Sequence, residues 1–412
     1  MVKYSALNLA WQGVRNHRGW RRAWRHATPK KAYDAIIIGG GGHGLGAAYY
    51  LAKKHGITNV AVLEKGWLGG GNTARNTMTI RDNFIYPDNA RFHHAAVKSW
   101  HTLSSELNFN MMISKRGMTT VLMSDRDLSD AQRMINTTAL FGAEHRIIDI
   151  EELQQRLPMA VSPARLPIVG GVYHPDVVMA RHDAVAWGYA RAASNLGVDI
   201  IENCEVTDII RDAKGVTGVE TSLGNILTRK LGMAVAGHGK HVAAMAGVEL
   251  PIETVPLQAM VSTPVKPFLD NIVVLRGFNT YFMQSDKGEL VMGSGTDPYP
   301  SYSQRGAPQI PEATIAAILQ VFPSLERMQF MRQWAGILDL TYDNSPIISK
   351  TEVDGFYIDV AGSGGFKTTP LAAMMHADLI ANDRPDPLIE AYSLERFSTG
   401  RLILERASYG NR

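Results

Sequence analysis

The sequence has little of what several protein classes require. Cys204 is the only cysteine in 412 residues, so the chain can form neither an internal disulfide nor a cysteine-based zinc or iron–sulfur site. We therefore predict a reducing, cytoplasmic location and no metal cofactor. No segment approaches the roughly 20 consecutive apolar residues of a membrane-spanning helix. With 45% hydrophobic and 20% charged residues, the composition excludes disordered and collagen-like proteins and predicts a globular chain of two or three domains.

Acidic residues are absent from positions 1–31, which contain eight lysines and arginines. The net charge of +3 therefore divides into +8 on this basic arm and −5 on the remaining chain. Trp11, Trp20 and Trp24 also lie in the arm, and aromatic side chains with arginines are typical of protein interfaces. We predict that the arm contacts a partner subunit. The alternatives are a frayed basic tail and, less favoured, a nucleic-acid contact.

The strongest pattern is a strand–turn–helix–strand unit over residues 33–64. Its turn carries Gly39, Gly41 and Gly44 in the spacing GxGxxG, which lets the backbone approach a pyrophosphate at the N-terminus of the following helix. Glu64 ends the second apolar segment, twenty residues after the last of these glycines, and a carboxylate there can accept hydrogen bonds from ribose hydroxyls. The unit predicts a dinucleotide site, and the acid favours FAD or NAD over NADP.

A glycine-rich and polar segment, residues 65–76, follows this unit. Such a segment can present backbone and side-chain donors to the phosphates and to the isoalloxazine edge of a flavin, whereas an NAD dehydrogenase more often continues with an ordinary helix. We therefore favour FAD. The alternative is a surface loop rich in turn residues.

The rest of the chain alternates between helical and strand-like segments, with no repeat and no long linker. This order predicts an α/β protein in which two domains interleave. The predicted units are the basic arm at 1–31, a Rossmann-like FAD-binding domain formed by 32–82, 167–250 and 336–412, and an α+β substrate domain formed by 83–166 and 251–335.

Four segments, residues 34–64, 69–76, 181–188 and 362–367, resemble the D-amino-acid-oxidase-like family of flavoenzymes. Within this family, the chain resembles the group of heterotetrameric sarcosine oxidase beta subunits over essentially its whole length. The FAD motifs are common to the broad family, whereas residues 181–188 and the basic arm specify the subunit type. The resemblance implies a D-amino-acid-oxidase-like fold.

The resemblance also implies two flavins. FAD would be bound noncovalently, and the absence of cysteine from the C-terminal region, where monomeric relatives tether FAD, agrees with this. FMN would be attached covalently to His182, at an interface with the alpha subunit. His174 is the second candidate for the anchor, and a surface histidine at a helix start is the alternative for His182. Asp183 is a predicted N-cap for a helix over 184–196.

The reaction that the resemblance implies is the oxidation of sarcosine to glycine, with reduction of O2 to H2O2. Electrons would pass from FAD to FMN, and the methyl carbon would pass to tetrahydrofolate in the alpha subunit to give 5,10-methylenetetrahydrofolate. The implied partners are the alpha, gamma and delta subunits, with neither a membrane nor a nucleic acid. Two alternatives remain open: a related proline or hydroxyproline dehydrogenase subunit, and a flavin subunit that only conducts electrons.

Two cations are the catalytic candidates. Arg81 aligns with the arginine that binds the substrate carboxylate in related sarcosine oxidases, and a guanidinium suits a bidentate contact. Its alternative role is a surface ion pair. Lys367 aligns with a second contact to the carboxylate or to the flavin. It follows a glycine-rich turn at 362–365, and the helix that begins near Pro370 would place its positive end near the reduced flavin.

The remaining candidates for FAD contacts come from the glycine turn, the polar segment and the resemblance. His43 either contacts FAD or makes structural contacts alone, and Val206 would lie against the adenine. The full set is Gly39, Gly41, Gly42, His43, Gly44, Glu64, Asn72, Thr73, Arg75, Thr77, Met78, Val206, Gly362, Gly364, Gly365 and Lys367.

Overall fold

The computed structural model of the chain describes residues 5–18, 22–157 and 165–405. The helices within these residues are α1 (Ala6–Val14), α2 (Gly42–His55), α3 (Pro87–Glu106), α4 (Asp125–Ala139), α5 (Ile150–Arg156), α6 (His182–Asn195), α7 (Gly239–Met245), α8 (Gln309–Val321), α9 (Thr369–Asn382) and α10 (Arg396–Thr399). The described helices are all too short or too polar to cross a membrane.

The strands in the described residues belong to four sheets. They are β1 (Ala35–Ile38), β2 (Val60–Leu63), β3 (Thr79–Ile80), β4 (Ser114–Lys115), β5 (Met118–Leu122), β6 (Arg146–Ile148), β7 (Gly170–His174), β8 (Val178–Met179), β9 (Asp199–Ile201), β10 (Val206–Asp212), β11 (Gly215–Thr221), β12 (Ile226–Leu227), β13 (Leu231–Met233), β14 (Ile252–Ser262), β15 (Ile272–Leu275), β16 (Thr280–Gln284), β17 (Leu290–Thr296), β18 (Phe330–Thr341), β19 (Ile347–Lys350) and β20 (Phe356–Val360).

A six-stranded sheet in the order β19-β20-β13-β1-β2-β9 forms the first layer of the fold. Its strands are parallel except β19, and β1 and β2 are completely buried because helices and loops cover both faces. Helix α2 packs against α9 and α6. The chain leaves β1 near the middle of the sheet and enters α2 through the glycine turn, at the carboxyl edge where α/β proteins bind their ligands.

An eight-stranded sheet in the order β18-β14-β17-β16-β15-β5-β7-β6 forms the second layer. The long strands β14 and β18 pair along their whole length, and apolar side chains fill both faces of this sheet. Two small sheets, β10-β11-β12 and β3-β8-β4, complete the described strands. The second of these lies where the chain passes between the two large sheets.

Sheet membership bears on two of the predicted domain boundaries. Strand β7 pairs with β5 in the eight-stranded sheet, although we assigned residues from 167 onward to the FAD-binding domain. Strand β18 stays in the eight-stranded sheet to Thr341, beyond the boundary expected at 335. We propose two interleaved domains with boundaries where the chain changes sheets.

The basic arm divides into an outer and an inner part. Helix α1 exposes Leu7 and Trp11, as a segment that meets a partner would. In the inner part, Trp24 packs against the core of the first layer, and the Arg25 guanidinium pairs with Asp199 at 3.1 Å. The inner part is therefore fixed to the protein and is not a frayed tail. Trp20 lies outside the described residues.

The close contact between α2 and the glycine turn yields a stability prediction. A Cβ on Gly44 would overlap the carbonyl oxygen of Gly39, whereas a Cβ on Gly71 would meet no described atom within 4 Å. Gly44→Ala is expected to lower the free energy of unfolding of the apoprotein by roughly 1–3 kcal/mol, because backbone must move. Gly71→Ala is the matched control and is expected to unfold at the wild-type temperature. Equal thermal unfolding temperatures for the two variants would contradict this packing.

Candidate active site

A cavity of about 650 Å³ lies between the two large sheets and contains most of the predicted site residues. Its walls come from the glycine turn, from the 65–79 segment, from β14, β15 and β18, and from the turn after β20. The predicted residues that line it are Gly39, Gly41, Gly42, His43, Glu64, Asn72, Thr73, Arg75, Thr77, Met78, Arg81, Val206, Gly364, Gly365 and Lys367. Gly44, Gly362 and His182 do not line it.

The glycine turn presents a helix N-terminus to the cavity. Helix α2 begins at Gly42, and its first turn contains no acidic residue. The Glu64 carboxylate accepts hydrogen bonds from the amides of Gly40 at 2.8 Å and Gly66 at 2.9 Å. A carboxylate offers about four acceptor positions, so Glu64 retains capacity for a ribose hydroxyl. The positive end of α2 suits a pyrophosphate.

Gly44 and Gly362 have structural reasons to be glycine. The backbone of Gly44 packs against Gly39. Gly362 has φ of 77°, and a Cβ there would overlap the carbonyl of Ser345. Both glycines therefore shape the turns that line the cavity, and their assignment as direct cofactor contacts stays a prediction.

Side chains of the polar segment hold the cavity wall together. Asn72 exchanges two hydrogen bonds with the backbone of Ile337, at 2.6 and 2.8 Å, in the manner of a neighbouring strand. The Thr73 hydroxyl accepts from the Gly42 amide at 3.0 Å. Arg75 donates to the carbonyl of Gly71 at 2.9 Å. These residues line the cavity, but their polar groups already have protein partners, which the sequence did not indicate.

Arg81 and Lys367 approach each other although they are far apart in sequence. Arg81 is 5% exposed and Lys367 is 8% exposed, and their charged groups lie 5.0 and 5.7 Å from the ring of Phe84. The Arg81 guanidinium donates to Asn83 at 2.6 Å. Burial, followed by the charge of Arg81, lowers the pKa of Lys367 to about 7. Two buried cations at one cavity wall form a suitable site for a carboxylate.

A buried polar cluster lies directly behind Arg81 and was missed by the sequence analysis. His94 Nδ1 donates to Asp82 at 2.8 Å, and His145 Nε2 lies 3.1 Å from the other Asp82 oxygen. Burial opposes ionisation of Asp82, but His145 and His94 outweigh it and hold its pKa well below the usual range. The signal available in the sequence was an acid next to the candidate arginine.

His174 belongs to the edge of this cluster. Its ring packs edge-on against His145, with centroids 4.5 Å apart, and it is 1% exposed. Burial, followed by the charge of His145, holds its pKa well below the usual value. Such complete burial in β7 disfavours His174 as the anchor of a second flavin.

His182 lies at the N-terminus of α6, outside the cavity. We predicted Asp183 as the N-cap of this helix, but the N-cap is Arg181. Asp183 lies in the first helical turn, where it pairs with Arg181. His182 is half-buried, and its Nδ1 has no hydrogen-bond partner among the described residues. Burial lowers its pKa. The imidazole is therefore neutral near pH 7, the form that can act as a nucleophile.

The His43 side chain reaches from the first turn of α2 to β20 and to the turn that follows β20. Its Nδ1 lies 2.7 Å from Asp359 of β20, and its Nε2 lies 2.9 Å from the carbonyl oxygen of Gly365. The sequence analysis missed Asp359, although a single acid within the apolar segment 356–360, just before a glycine-rich turn, is an unusual feature.

Comparisons with known proteins give a consistent result. A family model described as FAD dependent oxidoreductase matches residues 34–379. The chain is 44% identical to sarcosine oxidase subunit beta of Rhodobacter capsulatus over 412 residues, which cover 100% of this chain and 99% of that one. It is 45% identical to the subunit of the same name from Rhizobium meliloti over 407 residues, 98% of each chain. The solved L-proline dehydrogenase from P. horikoshii superposes with a TM-score of 0.85 at 27% identity, covering 91% of this chain and 100% of that chain.

The cluster behind Arg81 can be tested by its effect on stability. Asp82→Asn is expected to lower the free energy of unfolding by about 3 kcal/mol at pH 7, because two buried histidines lose their carboxylate. Since the pKa of Asp82 is lowered in the folded state, this stabilisation is present above a pH of about 4 and is lost as the pH falls further. Denaturant titrations at a series of pH values measure both effects.

Asp176→Asn is the matched control for this prediction. Asp176 pairs with Lys115 at 2.7 Å, but both side chains are partly exposed, so the expected loss is below about 1 kcal/mol. Equal losses in the two variants would contradict a special role for the buried cluster.

Proposed function

The chain belongs to the family of FAD-dependent oxidoreductases and, within it, to the sarcosine oxidase beta subunits, and on this premise we propose that it oxidises sarcosine to glycine at a noncovalently bound FAD. Family membership confirms the predicted fold class and FAD as a cofactor. The observation that carries the proposal is the pair of buried cations, Arg81 and Lys367, on the wall of the cavity that also contains the glycine turn.

The residues of the cavity fit FAD at several points. The pyrophosphate would lie at the glycine turn, where Cβ atoms are missing and α2 presents its positive end. Glu64 would accept from the ribose of the adenosine half, and Val206, buried at the start of β10, would lie against the adenine. When bound, FAD supplies the two-electron acceptor for amine oxidation.

The substrate end requires little acid–base chemistry from the chain. The Arg81 guanidinium would bind the carboxylate of sarcosine through two parallel hydrogen bonds, and Lys367 would add a second positive charge when protonated. Apolar cavity residues Met118, Ile272 and Val274 are buried and would exclude water from the reacting amine, which strengthens the electrostatic contacts. These residues would thus orient the substrate as the neutral amine.

His182 is proposed to carry covalent FMN, which would accept the electrons and reduce O2 to H2O2. Its neutral imidazole and the unpartnered Nδ1 support this assignment. Two large apolar side chains near the start of α6 are exposed: Trp187 belongs to α6, and Met112 follows Met111, whose carbonyl accepts from the Arg181 amide. Exposed aromatic and methionine side chains are typical of protein interfaces. We propose that the alpha subunit covers this surface in a complex that also holds the gamma and delta subunits.

The proposed assembly also accounts for the fate of the methyl carbon. The carbon would pass to tetrahydrofolate in the alpha subunit and give 5,10-methylenetetrahydrofolate. Sarcosine, O2 and tetrahydrofolate would thus yield glycine, H2O2 and the methylene derivative.

A second candidate is a dehydrogenase for a cyclic secondary amine, and the likeness to L-proline dehydrogenase favours it. Sarcosine and proline share a carboxylate and a secondary amine, so Arg81 and Lys367 suit both. Anaerobic mixing of the wild-type complex with each substrate, followed by FAD absorbance, separates the two. Faster reduction by sarcosine supports the first proposal, and faster reduction by proline supports the second.

Removal of the Arg81 guanidinium tests whether the substrate site lies in this chain. Arg81→Ala is expected to lower the second-order rate of FAD reduction by sarcosine about 100-fold, because a charged bidentate contact contributes roughly 3 kcal/mol. Arg91→Ala, which removes an exposed arginine bonded to the Pro387 carbonyl, is the control and should react at the wild-type rate. Reduction of Arg81→Ala at the wild-type rate would favour a subunit that only conducts electrons.

The anchor of the second flavin can be tested by acid precipitation. His182→Ala is expected to release all of its flavin into the supernatant as FAD, because the proposed nucleophile is missing. Wild type should retain FMN in the pellet, and so should His174→Ala, in which a buried histidine is removed. Covalent flavin in the His182→Ala pellet would contradict the assignment.

A further inference from the structure

His43 joins two glycine-rich turns that are far apart in sequence. Its backbone lies in the first turn of α2. Its side chain reaches Asp359 of β20 and the carbonyl of Gly365, which ends the turn at 362–365. The space around this contact is restricted, because a Cβ on Gly365 would lie 3.0 Å from His43 Nε2. The imidazole therefore fills the gap between the two turns.

The hydrogen-bond partners of His43 determine its charge. A carbonyl oxygen and an ionised carboxylate both accept hydrogen bonds and cannot donate them. Asp359 is 3% exposed, and its pKa is lowered although burial opposes this, chiefly because of the charge of His43. Both ring nitrogens must then carry hydrogen, so His43 is an imidazolium. Burial alone would lower the pKa of His43, but Asp359 and the Gly365 carbonyl raise it to about 9.

The other titratable groups that face this pair come from three elements. Asp339 of β18 accepts from the Ala361 amide at 2.8 Å, and burial raises its pKa to about 6. His376 of α9 lies 4.0 Å from the Asp359 oxygen, and burial lowers its pKa. Burial lowers the pKa of Lys367, which follows the second turn, to about 7. Above pH 8, His43 is therefore the cationic member of this group.

The contact at Gly365 also reaches the proposed substrate site. The Gly365 carbonyl accepts from the Thr368 amide at 3.0 Å and from the Thr368 hydroxyl at 2.9 Å. These bonds shape the short helical turn Phe366–Thr368, which carries Lys367. His43 thus holds, through one carbonyl oxygen, the start of the segment that places Lys367 in the cavity.

We propose that His43 is a positioning residue, an imidazolium clamp that fixes the glycine turn of the pyrophosphate relative to the turn at 362–365. This inference rests on the proposed placement of FAD in the cavity between these turns. The clamp would hold the cavity in the shape that binds FAD. It would loosen when His43 loses its proton, because one of the two hydrogen bonds across the gap is then lost.

The dissociation constant of FAD is the measurement that tests the clamp. The full complex is freed of noncovalent FAD and titrated with FAD between pH 7 and pH 10, and the quenching of FAD fluorescence is followed. In wild type, the dissociation constant is expected to rise about 10-fold as the pH passes 9, because a charge-assisted hydrogen bond is lost. His43→Gln is expected to show the weaker affinity already at pH 7 and no rise near pH 9.

Two further variants distinguish loss of the His43 clamp from a general disturbance of the protein interior. Asp359→Asn removes the charge that raises the pKa of His43, so the rise in the dissociation constant is expected to shift below pH 9, toward the ordinary range of histidine. His376→Gln changes a buried histidine near Asp359 that does not line the cavity, and its FAD affinity is expected to stay within about twofold of wild type.

Several results would overturn the proposal. The first two concern His43→Gln: an affinity for FAD equal to that of wild type at pH 7, or a dissociation constant that still rises near pH 9. The third is an Asp359→Asn variant whose dissociation constant rises at the same pH as in wild type. The fourth is a His376→Gln variant that loses as much affinity for FAD as His43→Gln does. Failure of the proposed function would look different. Wild-type protein that binds no FAD at any pH would overturn both, whereas FAD binding without the pH dependence would overturn the clamp alone.

Discussion

The close approach of α2 to the end of β1 is the constraint on which the rest of the site depends. Gly44 allows it, because any side chain there would overlap the Gly39 carbonyl. As a result, α2 begins at Gly42, at the cavity wall, and the next residue, His43, reaches across to β20. A helix that started one turn later would lose both the helix end for the pyrophosphate and the contact between the two turns.

Two buried carboxylates near the cavity share one arrangement, in which each lies beside a histidine. Asp82 is held ionised by His94 and His145, and Asp359 is held ionised by His43. An isolated buried carboxylate would be protonated instead, since burial disfavours its charge. Each of these acids is therefore stabilised in its ionised form by at least one neighbouring histidine. Arg81 and Lys367 line the same cavity, and under the proposed function a substrate carboxylate there would face both side chains.

Local patterns were predictable from the sequence, whereas contacts between distant segments were not. The unit from β1 to Glu64 follows from hydrophobic runs and glycine spacing, and Arg81 and Lys367 follow from family resemblance. Asp359 meets His43 across 316 residues, a distance that no periodic pattern encodes. The N-cap at Asp183 failed for a similar reason, because its carboxylate is engaged by Arg181 in the first turn of α6. The boundary at 167 stays a prediction, but the pairing of β7 with β5 in the eight-stranded sheet is a long-range contact that the sequence did not indicate.

The two proposed flavin sites share a short backbone connection. Strand β3 pairs with β8 in antiparallel register, with Thr79 opposite Met179, and the Met78 carbonyl accepts from the Ala180 amide at 3.2 Å. Met78 lines the cavity, and Ala180 lies two residues before His182. Hydrogen-bonded strands change their spacing far less than loops do. With FMN on His182 as proposed, this pairing would hold the two flavins at a constant separation while the partner subunit completes only the outer one. Electron transfer between them would then depend on this chain, and the oxygen-reacting step would depend on the assembly.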